Sequence, residues 1–108
     1  MLILFDRGTP APLRSSLAGH MVRRTQDMGW DMLGNGELLD AAEKAGIEIL
    51  LTTDKNIRHQ QNLTGRKIAI VVLGNPQWPV LRRYVDRVVE AVNAATPGSY
   101  TEVDIPRR

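Results

Sequence analysis

The sequence predicts an α/β protein built as a three-layer sandwich around a mainly parallel sheet of four to five strands. Three short apolar runs support this prediction, at Leu2–Phe5, Ile47–Leu51 and Ile68–Leu73. None of them alternates cleanly between apolar and polar residues, which is typical of parallel strands covered on both faces. Stretches with helical periodicity lie between the runs, so right-handed crossovers would bring the carboxyl ends of neighbouring strands to one edge.

Length and composition narrow the class of protein. The 108 residues predict one domain over residues 1–105, followed by a tail at 106–108. Cysteine is absent, which excludes disulfides and thiolate metal sites. The net charge of +2 is too small to indicate nucleic-acid binding by itself. The longest apolar run is too short to cross a bilayer, so we expect a soluble cytoplasmic protein that does not bind a membrane.

The first third of the chain predicts one strand, one short helix and a poorer second strand. Thr9 is expected to cap the helix, with Pro10 at its first position. A second strand is expected at residues 20–25, at an edge of the sheet because it contains Arg23 and Arg24. Residues 26–36 contain three glycines and predict a loop.

The middle of the chain predicts a helix that leads into the central strand. Glu37–Ala45 places its apolar residues on one face, Asn35 is expected to cap it, and Gly46 is expected to end it. The run Ile47–Leu51 then forms the central strand, buried on both faces.

The last half of the chain predicts two further helices and two strands. A short helix at Ile57–Asn62 is expected to have Thr53 or Asp54 as its cap. After the strand at Ile68–Leu73, valines and other apolar residues recur at helical spacing from Val80 to Val92, which predicts a longer helix. Residues 101–105 alternate as in a last edge strand.

Two of the predicted strands are followed by an aspartate at or near their carboxyl ends. Asp6 follows the first strand and Asp54 follows the central strand, so their carboxylates could converge if those strands are neighbours. Converging carboxylates repel each other unless a cation lies between them, and ligation by oxygen alone favours Mg²⁺ or Mn²⁺. Glu37 is a candidate third ligand, with Asp40 one turn later on the same helix. Each acid also has a structural interpretation: a turn for Asp6, a cap for Asp54, a helix-dipole partner for Glu37 and a pair with Lys44 for Asp40.

A polar segment follows Asp54 directly, where a phosphate or a base edge would need hydrogen-bond donors. Its candidate substrate-binding residues are Lys55, Asn56, Arg58 and His59. The alternative interpretation is a solvated helix face. His59 has no partner histidine or cysteine at ligand spacing, which argues against zinc.

The stretches LILFDRGTPAPL, NGELLDAAEKAGIEILLTTDKNIRHQQNL and RKIAIVVL together resemble the small bacterial PIN-like domains of the PIN nuclease superfamily. The resemblance spans nearly the whole chain. It implies a Rossmann-like sandwich with an acidic pocket that binds Mg²⁺ or Mn²⁺ and, in active relatives, hydrolyses RNA. Many PIN proteins are toxins paired with a small antitoxin, which this resemblance makes an expected partner.

By this resemblance Asp6 matches the first-strand aspartate and Asp54 the aspartate of the T-x-D motif. The acid usual at the start of the helix before the central strand falls near Asn35 or Gly36, leaving Glu37 as a shifted substitute. The acid often found two residues after T-x-D is Asn56.

Two hypotheses follow from the residues and the resemblance together. The first is a metal-dependent ribonuclease in which Asp6, Asp54 and Glu37 are both the ion ligands and the catalytic residues. The second is a PIN-like fold without catalysis that binds RNA or another protein. A homodimer is also expected, because the last edge strand and the apolar stripe from Val80 to Val92 offer more apolar surface than one core covers.

Overall fold

Five parallel strands form the central layer in the computed structural model, which describes residues 1–107. Arg108, the last residue of the predicted tail, lies outside the described residues. The strands are β1 (Leu2–Phe5), β2 (Met21–Arg24), β3 (Ile49–Thr52), β4 (Ala69–Leu73) and β5 (Tyr100–Val103). Their order across the sheet is β2-β1-β3-β4-β5, and every neighbouring pair is parallel. The predicted α/β sandwich around a parallel sheet is confirmed.

Helices cover both faces of this sheet. They are α1 (Asn35–Lys44), α2 (Ile57–Gln60), α3 (Trp78–Leu81) and α4 (Val85–Ala94), with 3₁₀ turns at Ala11–Ser16 and Arg82–Tyr84. Among residues 1–107, no helix combines the length and the apolar character that a membrane span requires.

Successive residues of each strand enter different cores, because side chains alternate between the two faces of a sheet. Phe5 and Leu51 pack with the first 3₁₀ turn and α4 on one face. Leu4 and Leu50 pack with α1 and α2 on the other. All four residues of β3 are buried, as expected for a central strand covered on both sides.

Strand positions agree closely with the sequence predictions. β1 has the predicted bounds, and β2 and β5 lie at the two edges of the sheet, as expected. β3 begins two residues later than predicted because the N–H of Ile47 still bonds to the carbonyl of Ala42 at the end of α1. Gly46 ends that helix with a φ of 80°, the left-handed conformation expected of this glycine.

Two of the predicted helix caps are wrong. Thr9 does not cap the first helix, because its buried hydroxyl donates to the carbonyl of Leu51 at 2.9 Å. Asn35 does not cap α1 either: the helix begins at Asn35, and Gly34 is its capping residue. In both positions the polar side chain bonds to a distant segment rather than to the helix beside it.

The predicted long helix is divided into three pieces. The chain leaves helical geometry at Tyr84, the last residue of the 3₁₀ turn, whose φ is −126° and ψ is 21°. The two α-helical pieces keep the predicted apolar stripe, since Leu81 of α3 and Val88 and Val92 of α4 are completely buried.

Candidate functional site

The crevice between β1 and β3 is the switch point of the sheet. From β1 the chain crosses to β2 on one side, and it then returns to β3 on the other side of β1. Ligands of open α/β sheets bind outside the carboxyl ends of the strands at such a point. Asp6 follows β1 directly, and Asp54 lies two residues beyond the end of β3. The topology therefore places both predicted acids beside this crevice.

Thr52 connects the two acids. Its register opposite Asp6 follows from the pairing of Phe5 with Leu51, so both side chains point to the face that α1 covers. The buried Thr52 hydroxyl donates a hydrogen bond to Oδ2 of Asp6 and accepts one from the backbone N–H of Asp54 at 3.1 Å. One side chain thus holds the Asp6 carboxylate and the Asp54 backbone in a fixed arrangement.

Asp54 is held by the amide of Asn35 and by its own turn. Nδ2 of Asn35 donates to Oδ2 of Asp54 at 2.8 Å, and the N–H of Asn56 donates to Oδ1 at 2.9 Å. The second bond closes an Asx turn before α2, whose cap position is Asn56, so neither Thr53 nor Asp54 is the cap that the sequence predicted. Asn35 is a site residue that local capping rules missed. The resemblance to PIN-like domains, in which an acid usually falls near this position, was the available signal.

The first turn of α1 lies against the side chains of the α2 segment. A Cβ on Gly36 would lie 2.9 Å from Oε1 of Gln61, so a larger residue would require the flexible end of that side chain to move. Asn35, next to this glycine, donates both to Asp54 and to Oε1 of Gln60, the latter at 3.4 Å.

The hydrogen bonds to the two carboxylates come from neutral groups. The donors are the Thr52 hydroxyl, the Asn35 amide and the backbone N–H groups of Arg7 and Asn56. Within residues 1–107, neither carboxylate lies within 4.0 Å of a Lys or Arg side-chain nitrogen. The negative charges of Asp6 and Asp54 therefore have no protein counter-charge in direct contact.

Glu37 and Asp40 do not join this pair. Glu37 is exposed in the first turn of α1, and Asp40 bonds to Arg66 at 3.0 Å rather than to Lys44. In the part of the chain that the structure describes, no group of three or more His, Cys, Asp or Glu side chains is arranged to hold a metal ion. The structure links two of the predicted ligands, Asp6 and Asp54, through the hydroxyl of Thr52, and the role of Glu37 stays a prediction.

The predicted substrate-binding residues divide into two sets. Lys55, Asn56 and His59 are exposed beside Asp54. The guanidinium carbon of Arg58 instead lies 5.2 Å from the centre of the Tyr100 ring, and its Nη2 lies 3.7 Å from Oε1 of Glu102.

Tyr100 is a second residue that the sequence analysis missed as part of this region. Its pKa is raised above the ordinary value of a tyrosine, chiefly by burial and then by the negative charge of Glu102. Arg58 lowers this pKa, and the charge of Asp54 adds a smaller increase. Tyr100 therefore lies within electrostatic reach of Asp54.

Two cavities lie at opposite edges of the sheet. An apolar cavity of about 270 Å³ lies at the amino edge, lined in part by Ile47, Ile68 and Pro97, and includes none of the predicted site residues. A cavity of about 290 Å³ lies at the carboxyl edge between Lys55 and Glu102. Only the second cavity adjoins the segment that follows Asp54.

Comparisons of this chain with protein-family models, curated proteins and solved structures give no match. A five-stranded parallel α/β fold supports many unrelated activities, so the fold alone does not indicate a function. The geometry and the charge of the site are therefore the features that bear on function.

Proposed function

We propose that this protein is a ribonuclease of PIN-like type that depends on Mg²⁺ or Mn²⁺ held by Asp6 and Asp54. The observation that carries this proposal is that Thr52 joins the Asp6 carboxylate to the backbone of Asp54 at the switch point, while both carboxylates accept hydrogen bonds only from neutral donors. A pair of like charges without a counter-charge is a favourable position for a cation.

The residues present fit a hard divalent ion. Each carboxylate oxygen has two lone pairs and accepts one protein hydrogen bond, which leaves one lone pair free for a ligand. Mg²⁺ keeps several of its waters and is commonly bound by one or two carboxylates together with substrate phosphates. Asp6 and Asp54 are therefore sufficient protein ligands for an ion that a phosphodiester helps to hold.

A bound divalent ion would supply an activated water and neutralise the charge that develops on the scissile phosphate. The side chains of this protein orient the ligands and the substrate. Thr52 and Asn35 fix the two carboxylates, and the exposed Lys55 attracts the RNA backbone. Glu37 lies two residues after Asn35 in the first turn of α1 and is exposed, and we keep it as the candidate third acid.

A second candidate function is favoured by the neutral groups around Asp54. The amide of Asn35 bonds to Asp54 at a position where PIN-like relatives carry an acid, and Asn56 replaces another acid. These replacements favour a PIN-like module without catalysis that binds RNA or another protein.

Replacement of Asp54 by asparagine separates the two functions. Asp54→Asn keeps the size of the side chain and removes the charge that would hold the ion. A matched control is Asp86→Asn, an equal charge change at an exposed position of α4, which packs on the other face of the sheet. Cleavage of single-stranded RNA with Mn²⁺ and binding of Mn²⁺ by calorimetry are the measurements.

The nuclease proposal expects wild type and Asp86→Asn to bind Mn²⁺ and cleave, and Asp54→Asn to lose both by at least about a hundredfold. Equal cleavage by all three proteins would assign the activity to a contaminant or another site and contradict the proposal. RNA binding without cleavage in the wild type would support the module instead.

A further inference from the structure

A second group of side chains lies beside the acid pair, where α2 packs against β5. Arg58 of α2 lies over the ring of Tyr100 in β5, and Glu102, two residues later in β5, contacts both. The contact between Glu102 and Tyr100 is a hydrogen bond of 3.2 Å from the phenol to the carboxylate. Arg58 therefore takes part in a cation–π contact and an ion pair at the same time.

Glu102 changes what Arg58 can offer to a nucleic acid. A guanidinium paired with a carboxylate has less positive charge left for a phosphate, and the carboxylate itself repels a phosphate. The side chain of Arg58 is nevertheless 51% exposed. Because the guanidinium also lies above Tyr100, the exposed side chain and the ring together resemble the platforms of arginine planes and aromatic rings on which unpaired bases stack in RNA-binding proteins.

The position of this group fits one nucleotide of a bound strand. The α2 segment that carries Arg58 begins three residues after Asp54, and Asp54 lies close enough to affect the pKa of Tyr100. The carboxyl-edge cavity of about 290 Å³ adjoins the same group through Glu102 and has Lys55 at its rim. Within residues 1–107, Lys55 forms no ion pair, so it is the cation available for the phosphate of that nucleotide.

We propose that Arg58 and Tyr100 form a stacking site for one unpaired nucleobase beside the catalytic carboxylates, while Lys55 binds its phosphate. The inference rests on the proposed function, because it takes RNA as the ligand. The inference assigns different roles to the two cations. Arg58 contributes a planar surface supported by Tyr100, and Lys55 contributes the free positive charge.

The test measures binding of a short single-stranded RNA to wild-type protein in EDTA, at fixed salt, so that no cleavage occurs. Fluorescence anisotropy reports affinity, and a 2-aminopurine base in the strand reports stacking. The variants are Tyr100→Leu, Tyr100→Phe, Arg58→Lys and Arg58→Gln. Arg58→Lys is the decisive variant, since it keeps the positive charge and removes the planar guanidinium group. The side chain of Arg58 is half exposed, so this substitution should disturb the fold little.

Base stacking on an aromatic side chain predicts roughly tenfold weaker binding for Tyr100→Leu, Arg58→Lys and Arg58→Gln, and nearly unchanged binding for Tyr100→Phe. An abasic nucleotide at the stacking position should weaken wild type by a similar factor and leave Tyr100→Leu unaffected. Circular dichroism confirms that each variant is folded.

Wild-type affinity in Arg58→Lys, with no effect of the abasic nucleotide, would overturn the inference and assign Arg58 to phosphate binding. If the wild-type protein still cleaves RNA with Mn²⁺ when the stacking test fails in this way, the nuclease proposal is unaffected. Stacking that depends on Tyr100 in a protein that does not cleave would support the inference and contradict the nuclease. Absence of any RNA binding would overturn both.

Discussion

Two pairs of acids in this molecule are compensated in different ways. Asp40 and Glu43 lie along α1 and both bond to the guanidinium of Arg66. The hydrogen bond to Glu43 is the main cause that raises the pKa of Arg66, and Asp40 adds to it. Asp6 and Asp54, at the carboxyl edge of the sheet, receive hydrogen bonds only from neutral groups.

Arg66 neutralises the acid pair on α1, whereas the proposed cation would neutralise Asp6 and Asp54. An arginine beside two carboxylates satisfies their charge and their hydrogen bonds together. Neutral donors satisfy the hydrogen bonds of Asp6 and Asp54 and fix their positions, but the negative charge remains. A cation is the ligand that this remaining charge favours.

The largest expected effect is on stability in the presence of a metal ion. Mn²⁺ at a hundred times its dissociation constant should stabilise the wild type by about 2.7 kcal/mol, or roughly 10 °C in Tm. Asp6→Asn and Asp54→Asn should remove this shift, whereas Asp40→Asn should retain it because Asp40 belongs to the pair that Arg66 compensates. Differential scanning fluorimetry measures all four proteins. A full shift in Asp54→Asn would place the ion elsewhere.

Thr52→Val should lower both the free energy of unfolding and the increase in Tm that Mn²⁺ produces. The substitution keeps the shape of a fully buried side chain and removes two hydrogen bonds, one to Asp6 and one from Asp54. Loss of these bonds is expected to cost about 1–3 kcal/mol in urea unfolding. Thr101→Val in β5 is the control for the same substitution elsewhere in the sheet, since β4 separates Thr101 from the strand that carries Thr52. If Mn²⁺ raises the Tm of Thr52→Val as much as that of the wild type, the Thr52 hydroxyl does not position the carboxylates.

Arg66→Met should affect stability alone. It leaves Asp40 and Glu43 without their counter-charge, and because the side chain of Arg66 is only 21% exposed, the expected loss is about 1 kcal/mol. The Mn²⁺ shift and RNA cleavage should remain at wild-type levels, which chemical unfolding and the cleavage assay can check together. Loss of the metal response in this variant would contradict the separation of the two acid pairs.

The smallest expected effect is on the titration of Tyr100. Its raised pKa means that the folded protein keeps the proton at a pH where the unfolded chain has lost it, so stability should fall as pH rises above about 10. Tyr100→Phe should remove this alkaline loss. Asp54→Asn should lower the pKa of Tyr100 slightly, because the Asp54 charge is one of the smaller causes of the increase. Asp40→Asn should leave the pKa of Tyr100 unchanged. Spectrophotometric titration of the tyrosines in both variants measures these changes.

Sequence alone predicted the elements whose formation depends on local composition. The bounds of β1 agree to the residue, and the other strands agree within a few residues, because an apolar run that must be buried is visible in the chain itself. Gly46 at the end of α1 was predicted for the same reason, since its left-handed conformation is a local requirement.

Polar side chains were predicted less well, because their partners are distant in sequence. Thr9 bonds to the carbonyl of Leu51 and Asn35 bonds to Asp54, although both were expected to cap a neighbouring helix. Capping rules consider the donors of the adjacent helix only. Tyr100 was absent from the predicted site since nothing near it in sequence indicates that α2 will place Arg58 above its ring.

The sequence by itself determined that this chain is an α/β protein with aspartates at the ends of two buried strands. Only the tertiary structure decided that β1 and β3 are neighbours, that Thr52 lies between Asp6 and Asp54, and that Arg66 compensates Asp40 and not Asp54. The physical reason is that burial is encoded residue by residue, whereas the charge around a carboxylate depends on which distant segments pack beside it.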